Sequence, residues 1–370
     1  MKKIYIVILG ILLFCTGCGG KEQVISVDKT VPQQEEKEQR VSFYGAGDNL
    51  IHNCVYWQAD NNAPGEDYDF KPMYSKVADD IKNADIAYIN QETILGGTEL
   101  GLSSYPLFNS PQELGCDMIE LGFDVFSHAT NHVFDKGEKG VANTYAFYRE
   151  NPQVTVIGIY EKGEESIKIV ERKGIKTAFV NYTYHTNGLG LPDDSEYVVN
   201  VVYGNDCTNV INDVKKAKEQ ADFVICCLHW GNEGETTPSS IQKEHAQLLS
   251  KAGADVIIGT HPHTIQPVEF IDDTLVVYSL GNFISAQNNG VNLVGGTVKF
   301  DMVIKGMEKK IENVEFIPVI NQYEGFYSNI RIIPFKEYSQ NLAASHGAFV
   351  RFEYFSNLIE KTIDSAYLKF

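Results

Sequence analysis

Histidine, carboxylate and carboxamide side chains cluster in five short segments of this 370-residue sequence. The segments are 47–52, 90–93, 128–132 (with Asp135 close behind), 229–233 and 259–263. Six of the nine histidines lie in them, and each segment follows an apolar run that predicts a strand. Imidazole, carboxylate and amide groups are ligands that zinc, manganese and iron accept in proteins. We therefore expect a shared metal site where these segments meet.

A shared site of this composition would suit hydrolytic chemistry. A carboxylate on one loop can bridge two divalent metals with imidazoles on each side, and such a pair holds a phosphoryl group or activates a water. Each segment also has a purely structural explanation when it is taken alone, because Asp48 could cap a turn and Asn131 could hold a positive φ. We interpret His128 as a surface or capping residue. The other residues of the five segments are of similar chemical type and all follow strand ends, which favours one shared site.

The polar segments have to be positioned by strands that alternate with amphipathic helices. Strands are predicted at 41–46, 85–90, 124–127, 154–158, 223–228 and 256–259, with a hairpin through 167–171 and 176–182 and later strands at 267–271, 275–280, 296–303 and 310–317. Helices are predicted at 73–83, 111–121, 139–150, 209–220 and 240–252. This alternation predicts an α/β fold with mixed sheets and helices outside. The polar segments fall just after strand ends, where α/β folds place their sites.

The order of the motifs carries a resemblance to a known family. Gly-Asp at 47–48, Asn-x-Glu at 90–92, Asn-His at 131–132 and His-Trp-Gly at 229–231 come first. Gly-x-His-Pro-His at 259–263 and Ser-Leu-Gly-Asn-Phe at 279–283 follow. This series resembles the bacterial capsule synthesis protein family (CapA-like, poly-γ-glutamate capsule), a branch of the calcineurin-like metallophosphoesterases. The resemblance covers residues 41–283 and extends to about 317. It implies a four-layer α/β/β/α metallophosphoesterase-like sandwich with mixed sheets.

The same resemblance implies a role for each motif residue. Two divalent metal ions (manganese, zinc or iron) would be bound, with Glu92 bridging them in place of the aspartate that phosphoesterases use. His132 would be the catalytic general acid, because it follows the ligand Asn131. The remaining implied ligands are Asp48 and His263 for one metal, and Asn131, His229 and His261 for the other.

Several positions depart from the family pattern or allow two interpretations of their role. Phosphoesterases begin with Asp-x-His, whereas here the histidine is four residues after Asp48, so His52 is a candidate metal ligand only. Asn90, Trp230 and Asn282 are expected to shape the pocket and orient ligands, although plain packing competes for Trp230. His185 either lines the pocket or lies on a solvent-facing loop.

The N-terminal segment predicts export. Lys2 and Lys3 precede an apolar run at 4–14, and small residues lead to Cys18. This pattern is typical of a secretory signal peptide, and the run is short for a membrane span. We interpret residues 1–18 as a lipoprotein signal peptide with lipidation at Cys18, the alternative being an uncleaved anchor. Residues 19–40 are polar and predict a flexible tether, 41–340 the main domain and 341–370 a C-terminal helical extension.

Charge and cysteine content restrict the functions that remain. The formal net charge is −18, which disfavours nucleic acid as a partner. Outside the leader, Cys226 and Cys227 lie in an apolar run and predict core positions. Together with the leader, the resemblance implies an extracytoplasmic, membrane-anchored lipoprotein of capsule, poly-γ-glutamate or related surface-polymer biosynthesis or export, acting as a di-metal hydrolase on an anionic polymer or phosphoester-type substrate. The alternative is a non-catalytic, metal-dependent scaffold among sibling capsule-synthase membrane subunits.

Overall fold

The computed structural model describes residues 38–63, 65 and 67–370. Sixteen strands are found in that part of the chain. The first eight are β1 (Glu38–Asn49), β2 (Ile86–Asn90), β3 (Val125–Ser127), β4 (Thr155–Ile157), β5 (Ile159–Glu161), β6 (Lys168–Arg172), β7 (Ile175–Thr183) and β8 (Tyr197–Val199). The others are β9 (Phe223–His229), β10 (Val256–Thr260), β11 (Val268–Ile271), β12 (Thr274–Val277), β13 (Asn282–Ile284), β14 (Val294–Lys305), β15 (Glu308–Glu324) and β16 (Ser328–Pro334).

The helices lie mainly between these strands. They are α1 (Asn53–Asn62), α2 (Lys71–Tyr74), α3 (Ala78–Lys82), α4 (Glu113–Leu121), α5 (Gly137–Glu150), α6 (Thr208–Lys218), α7 (Ser240–Ala252), α8 (Gln340–Ser345) and α9 (Phe352–Thr362). None of the helices that the structure describes is long and apolar enough to span a membrane.

Two mixed sheets form the centre of the fold. The first has the order β16-β15-β14-β1-β2-β3-β4, with β13 also paired to β1. Its strands β1 to β4 run parallel, whereas β14, β15 and β16 are antiparallel. The second has the order β11-β12-β10-β9-β7-β6 with a parallel centre and antiparallel edges. Since β1–β2–β3 and β7–β9–β10 are parallel, the carboxyl ends within each set lie at one edge of its sheet.

The two sheets pack face to face, and helices cover the outer faces. Thr177 of β7 lies 3.5 Å from the sulfur of Met302 on β14, across the interface. Alternate residues of β9 divide between the two cores: Ile225 and Cys227 face the first sheet, whereas Val224 and Cys226 pack with α6 and α7. This is the predicted four-layer α/β/β/α sandwich, and both cysteines occupy core positions as predicted.

Some element boundaries differ from the sequence prediction. The helix predicted at 73–83 is two helices, because the amides of Ser75 and Val77 bond three residues back, to Pro72 and Tyr74, and tighten the chain between them. Helix α1 was not predicted, since its polar sequence buries only Val55, Tyr56 and Ala59. The first strand begins at Glu38 rather than at residue 41.

Residues 341–370 pack on the first sheet. The ring of Phe355 on α9 lies 5.6 Å from Tyr338, and Ile359 belongs to the same core cluster. The final residues pair with β15, where the amide of Phe316 donates to the carbonyl of Tyr367 at 2.7 Å. The predicted signal peptide at 1–18, its lipidation site Cys18 and most of the predicted tether at 19–40 lie outside the described residues.

Substitution of Gly259 tests the close packing at the end of β10. A Cβ at this position would lie 1.9 Å from the carbonyl oxygen of Tyr278 and 2.4 Å from Nε1 of Trp230. We therefore expect Gly259→Ala to lower the free energy of unfolding by about 1–3 kcal/mol or more, because a packed core resists added volume. Gly190 is the matched control, since a Cβ there meets nothing within 4 Å, and Gly190→Ala should change stability by less than about 0.5 kcal/mol. Urea unfolding of both variants measures the difference, and equal midpoints would contradict this account.

Candidate metal centre

The polar segments predicted from the sequence meet at the strand ends of both sheets. The first sheet contributes Asp48, Glu92 and Asn131 from β1 and from the loops after β2 and β3. The second contributes three histidines from β9 and from the loop after β10. These are His229, His261 and His263, and all six side chains are buried.

A local irregularity in β1 aims Asp48 into the site. The pairing register shifts around Gly47 and Asp48 on both neighbouring strands, as at a bulge, which redirects a side chain. The amide of Asp48 donates to the carbonyl of Gly281 at 2.9 Å. A Cβ on Gly47 would lie 2.1 Å from that carbonyl oxygen. Glycine at 47 is therefore required for the first motif to meet the 279–283 motif.

One half of the site consists of Asp48, Glu92 and His263. Their potential ligand atoms all lie within 4.8 Å of one another. His263 Nδ1 is 3.1 Å from Asp48 Oδ2, while its Nε2 is 3.6 Å from Glu92 Oε1. Nδ1 also lies 3.1 Å from Oδ1 of Asn282. These neighbours hold the ring so that Nε2 faces Glu92, as outer partners of a ligating histidine do.

The other half is formed by Asn131, His229 and His261. His229 Nε2 lies 2.9 Å from Oδ1 of Asn131 and 3.8 Å from Oε1 of Glu92. The ring of His261 is 4.8 Å from that of His229, centroid to centroid. Glu92 thus lies between the two halves, within 4 Å of a histidine of each.

Burial dominates the electrostatics of this cluster. It raises the pKa of Glu92 well above its usual value, although His263 opposes the shift. Burial also lowers the pKa of His229 and of His261 well below the usual value, and neighbouring histidines add to the effect. For His263, burial is outweighed by the carboxylates of Glu92 and Asp48, and its pKa rises to about 10. Two neutral imidazoles, those of His229 and His261, and a protonated His263 therefore surround two buried carboxyl groups.

The donor set fits a divalent cation. Both carboxylate oxygens of Glu92, and Nδ1 of His261, are buried without a hydrogen-bond partner among the described residues. A buried carboxylate without a partner is costly, and a cation removes that cost by coordination. Two carboxylates, several imidazoles and an amide oxygen suit zinc, manganese or iron better than magnesium or calcium.

The loop after β10 has a strained backbone at two of the candidate ligands. His261 has φ 95° and His263 has φ 58°, values that a non-glycine residue adopts at a cost. The amide of His261 points at both oxygens of Asp48, at 3.4 Å. Strain of this kind persists where the surroundings impose it, and it is common at functional sites.

His132 is held by a residue to which the sequence analysis assigned no role. Its Nδ1 donates to Oδ2 of Asp135 at 2.7 Å, and the amide of Phe108 donates to the same oxygen at 2.6 Å. The ring of Phe108 contacts His132 edge-on at 4.7 Å. Nδ1 is thereby occupied, which leaves Nε2 for a ligand. The spacing of three residues between His132 and Asp135 was the available signal.

Other buried amides support the ligands. Asn90 donates to Oδ1 of Asp48 at 2.8 Å and accepts from Ser127 at the same distance. Asn181 was also missed, although a carboxamide within a buried strand run is a visible signal. Its Oδ1 accepts from the amide of Ala129 at 2.9 Å, and its Nδ2 donates to the carbonyl of Cys227. It thereby ties the loop that carries Asn131 and His132 to the second sheet.

The structure decides the placement of three further residues from the sequence analysis. Trp230 is fully buried and its Nε1 donates to the carbonyl of Tyr278, so it packs behind the site rather than lining a pocket. His128 is buried rather than on the surface, with Nε2 2.9 Å from the hydroxyl of Tyr148. His185 combines both of its readings, because it is exposed and also stacks on His261 at 4.7 Å.

His52 stands apart from the ligand set. Its Nδ1 accepts from the amide of Ala286 at 3.3 Å, and its ring contacts Phe108 edge-on at 5.1 Å. It is not part of the buried group of Asp48, Glu92 and His263. The four-residue spacing after Asp48 places it at the border of the site, because the chain turns into α1 directly after it.

Comparison with known proteins agrees with the motif series. Residues 42–287 match the family model described as bacterial capsule synthesis protein PGA_cap. The PGA biosynthesis protein CapA of Bacillus subtilis (strain 168) is 32% identical over 181 residues, 45% of this chain and 44% of the relative. The capsule biosynthesis protein CapA of Bacillus anthracis is 31% identical over 174 residues, 45% of this chain and 41% of the relative. The chain thus spans less than half the length of either curated relative.

Similarity to solved structures is more distant. A novel phosphatase from Mycoplasma pneumoniae superposes with a TM-score of 0.49 at 12% identity, covering 77% of this chain and 95% of that chain. At this TM-score, the evidence for the sandwich remains the strand topology of the chain itself.

Glu92→Gln tests the fit of a cation to this site. Mn²⁺ should raise the melting temperature of the wild-type protein, since a ligand at 100 times its Kd stabilises the folded state by about 2.7 kcal/mol. We expect the variant to lose most of that gain, and His261→Ala to weaken it. Glu99→Gln is the matched control, because Glu99 is exposed. Thermal unfolding and elemental analysis of the full chain measure the effect, and an unchanged metal content in Glu92→Gln would refute the assignment.

Proposed function

The chain belongs to the bacterial capsule synthesis protein family, and on that premise we propose that it is a divalent-metal-dependent hydrolase of the bacterial cell envelope. The observation that carries the proposal is the position of Glu92. Its buried, unpartnered carboxylate lies between His263 and His229, at 3.6 and 3.8 Å. A structural core has no need of such a group, whereas a pair of metal ions does.

The residues around Glu92 divide between binding and proton transfer. We propose that Asp48, Glu92 and His263 hold one ion, and that Asn131, His229 and His261 with Glu92 hold the second. When bound, the pair would polarise a phosphoryl group or a scissile carbonyl and activate a water. Asn90 and Asn282 keep Asp48 and His263 in position through hydrogen bonds of 2.8 and 3.1 Å.

His132 is the proposed general acid. Asp135 accepts from Nδ1, which fixes the orientation and the tautomer of the ring. Nε2 then carries the proton that a leaving group receives. Phe108 supports the pair twice, because its amide bonds Asp135 and its ring packs against His132. Asp135 is accordingly a positioning residue that acts through His132.

The cellular location is also part of the proposal. Lys2, Lys3, the apolar run at 4–14 and Cys18 support a lipoprotein that is exported and attached to the membrane by its lipid. The net charge of −18 supports partners other than nucleic acid. We propose an anionic surface polymer or phosphoester as substrate and sibling membrane subunits of a polymer synthase as partners.

Substitutions at the acid test for catalysis. With bis(p-nitrophenyl) phosphate and γ-glutamyl peptides as screening substrates, we expect His132→Ala to lower kcat by about 10²–10⁴-fold while metal content is unchanged. Asp135→Asn should lower kcat more than it changes KM, because Asp135 acts through the orientation of the His132 ring; a variant that only loosened the packing would change both constants. Asp194→Asn, on an exposed loop, should leave both constants as they are. A metal-loaded wild-type protein with no turnover on any such substrate would favour a non-catalytic scaffold.

The lipid anchor has a separate test. Cys18→Ser should abolish incorporation of labelled palmitate and move the protein from the membrane fraction to the soluble one, because the lipidated side chain is lost. Cys116→Ser is the control, since Cys116 is an exposed cysteine of the folded part. Retention of the label in Cys18→Ser would exclude this attachment site.

A further inference from the structure

A cavity of about 470 Å³ lies beside the candidate metal centre and has no role in the chemistry described so far. Its walls come from α1, from the loop after β13 and from the turn between β15 and β16. The residues that matter here are His52, Asn53, Trp57, Gln58, Phe326 and Tyr327. Its volume lies within the range of small-molecule sites, about 300–1,000 Å³.

The cavity adjoins the metal centre through two connections. His52, in its wall, contacts Phe108 at 5.1 Å, and Phe108 contacts the proposed acid His132 at 4.7 Å. Ala286, also in the wall, lies two residues beyond β13, whose Asn282 bonds the ligand His263. The cavity wall and the proposed acid are thus joined through two packed rings, those of His52 and Phe108.

The chemistry of the wall differs from that of the protein as a whole. The chain has a net charge of −18, yet none of the described side chains that line this cavity is an acid, a lysine or an arginine. Aromatic faces and carboxamides take their place. Such a wall offers stacking surface and paired donors and acceptors, but no counter-charge for an ionic group.

Two of the aromatic residues are held in a costly conformation. Phe326 and Tyr327 have φ 57° and 56°, which is a rare conformation for bulky side chains. The ring of Tyr327 stacks on Tyr323 at 4.5 Å, whereas Phe326 is fully exposed and Trp57 is 55% exposed. Exposed rings do not contribute to the core, so the strained turn points to a ligand that contacts them.

We propose that this cavity binds an uncharged sugar ring of the substrate, with Trp57 and Phe326 stacking on the ring and the carboxamides of Asn53 and Gln58 bonding its hydroxyls. The inference rests on the proposed function, because the metal centre would hold the anionic group of the same molecule. Together the two sites select a phosphate ester of a sugar, in which the phosphoryl group lies at the metal centre. A charged polymer unit such as a free carboxylate would find no partner in the cavity.

Binding to the full-length protein, purified in detergent and loaded with Mn²⁺, tests the inference. The probes are α-D-glucose 1-phosphate, inorganic phosphate and adenosine 5′-monophosphate, with affinities from calorimetry. The fluorescence of Trp57 also reports whether a probe binds in the cavity, because the chain has two tryptophans and the other, Trp230, is buried. We expect glucose 1-phosphate to bind about tenfold tighter than phosphate, equivalent to about 1.4 kcal/mol, and to change the Trp57 emission.

Variants separate the cavity from the metal centre. Trp57→Ala and Phe326→Ser should each remove most of the preference for the sugar phosphate and leave the affinity for inorganic phosphate unchanged. Phe349→Ser is the matched control, because Phe349 is also exposed, has φ 56° and lies outside this cavity. It should behave as the wild type does.

The other outcomes distinguish failure of the sugar site from failure of the proposed function. Equal affinities for phosphate and glucose 1-phosphate would overturn the sugar site and leave the metal-centre proposal standing. Tighter binding of adenosine 5′-monophosphate that depends on Trp57 would replace the sugar with a nucleoside. Absence of binding by inorganic phosphate and by both esters would overturn the sugar site and the proposed function together.

Discussion

The organisation of this protein depends on the burial of negative charge. Asp48 and Glu92 are fully buried, and Glu92 has no hydrogen-bond partner among the described residues. An isolated buried carboxylate is among the most unfavourable groups that a fold can contain. His263 compensates part of this charge, whereas His229 and His261 are held neutral by burial and supply lone pairs. The site is therefore arranged to be completed by cations.

The sandwich makes this arrangement possible because it brings two sheet edges together. One sheet delivers carboxylates and an amide at the ends of β1, β2 and β3, and the other delivers imidazoles at the ends of β9 and β10. Polar contacts join the two sheets here: Asn181 ties the loop of Asn131 to β9 through hydrogen bonds of 2.9 Å, and the amide of His261 points at Asp48 at 3.4 Å. The strained φ of His261 is maintained by this packing.

Much of the site could be predicted because its residues obey local rules. Polar side chains after strand ends, in a set order, indicated Asp48, Glu92, Asn131 and the three histidines of the second sheet, and the structure brings all six together. The roles of Asp135 and Asn181 were not predicted, because they depend on contacts with His132 and Ala129 that only the fold creates. The choice between pocket lining and packing stayed open for Trp230 for the same reason, because its place in a motif says nothing about which way its ring faces.

By itself, the sequence determined the alternation of strands and helices, the family and the chemical type of the site. The alternation and the type of site follow from apolar periodicity and residue types, which are local properties of the chain, and the family follows from the order of the motifs. Only the tertiary structure decided that Glu92 lies between two ligand groups, that His52 stands outside them, and that Trp57 and Phe326 meet around one cavity. Residues 57 and 326 are far apart in the sequence, and contacts of that kind arise from the packing of whole sheets and loops.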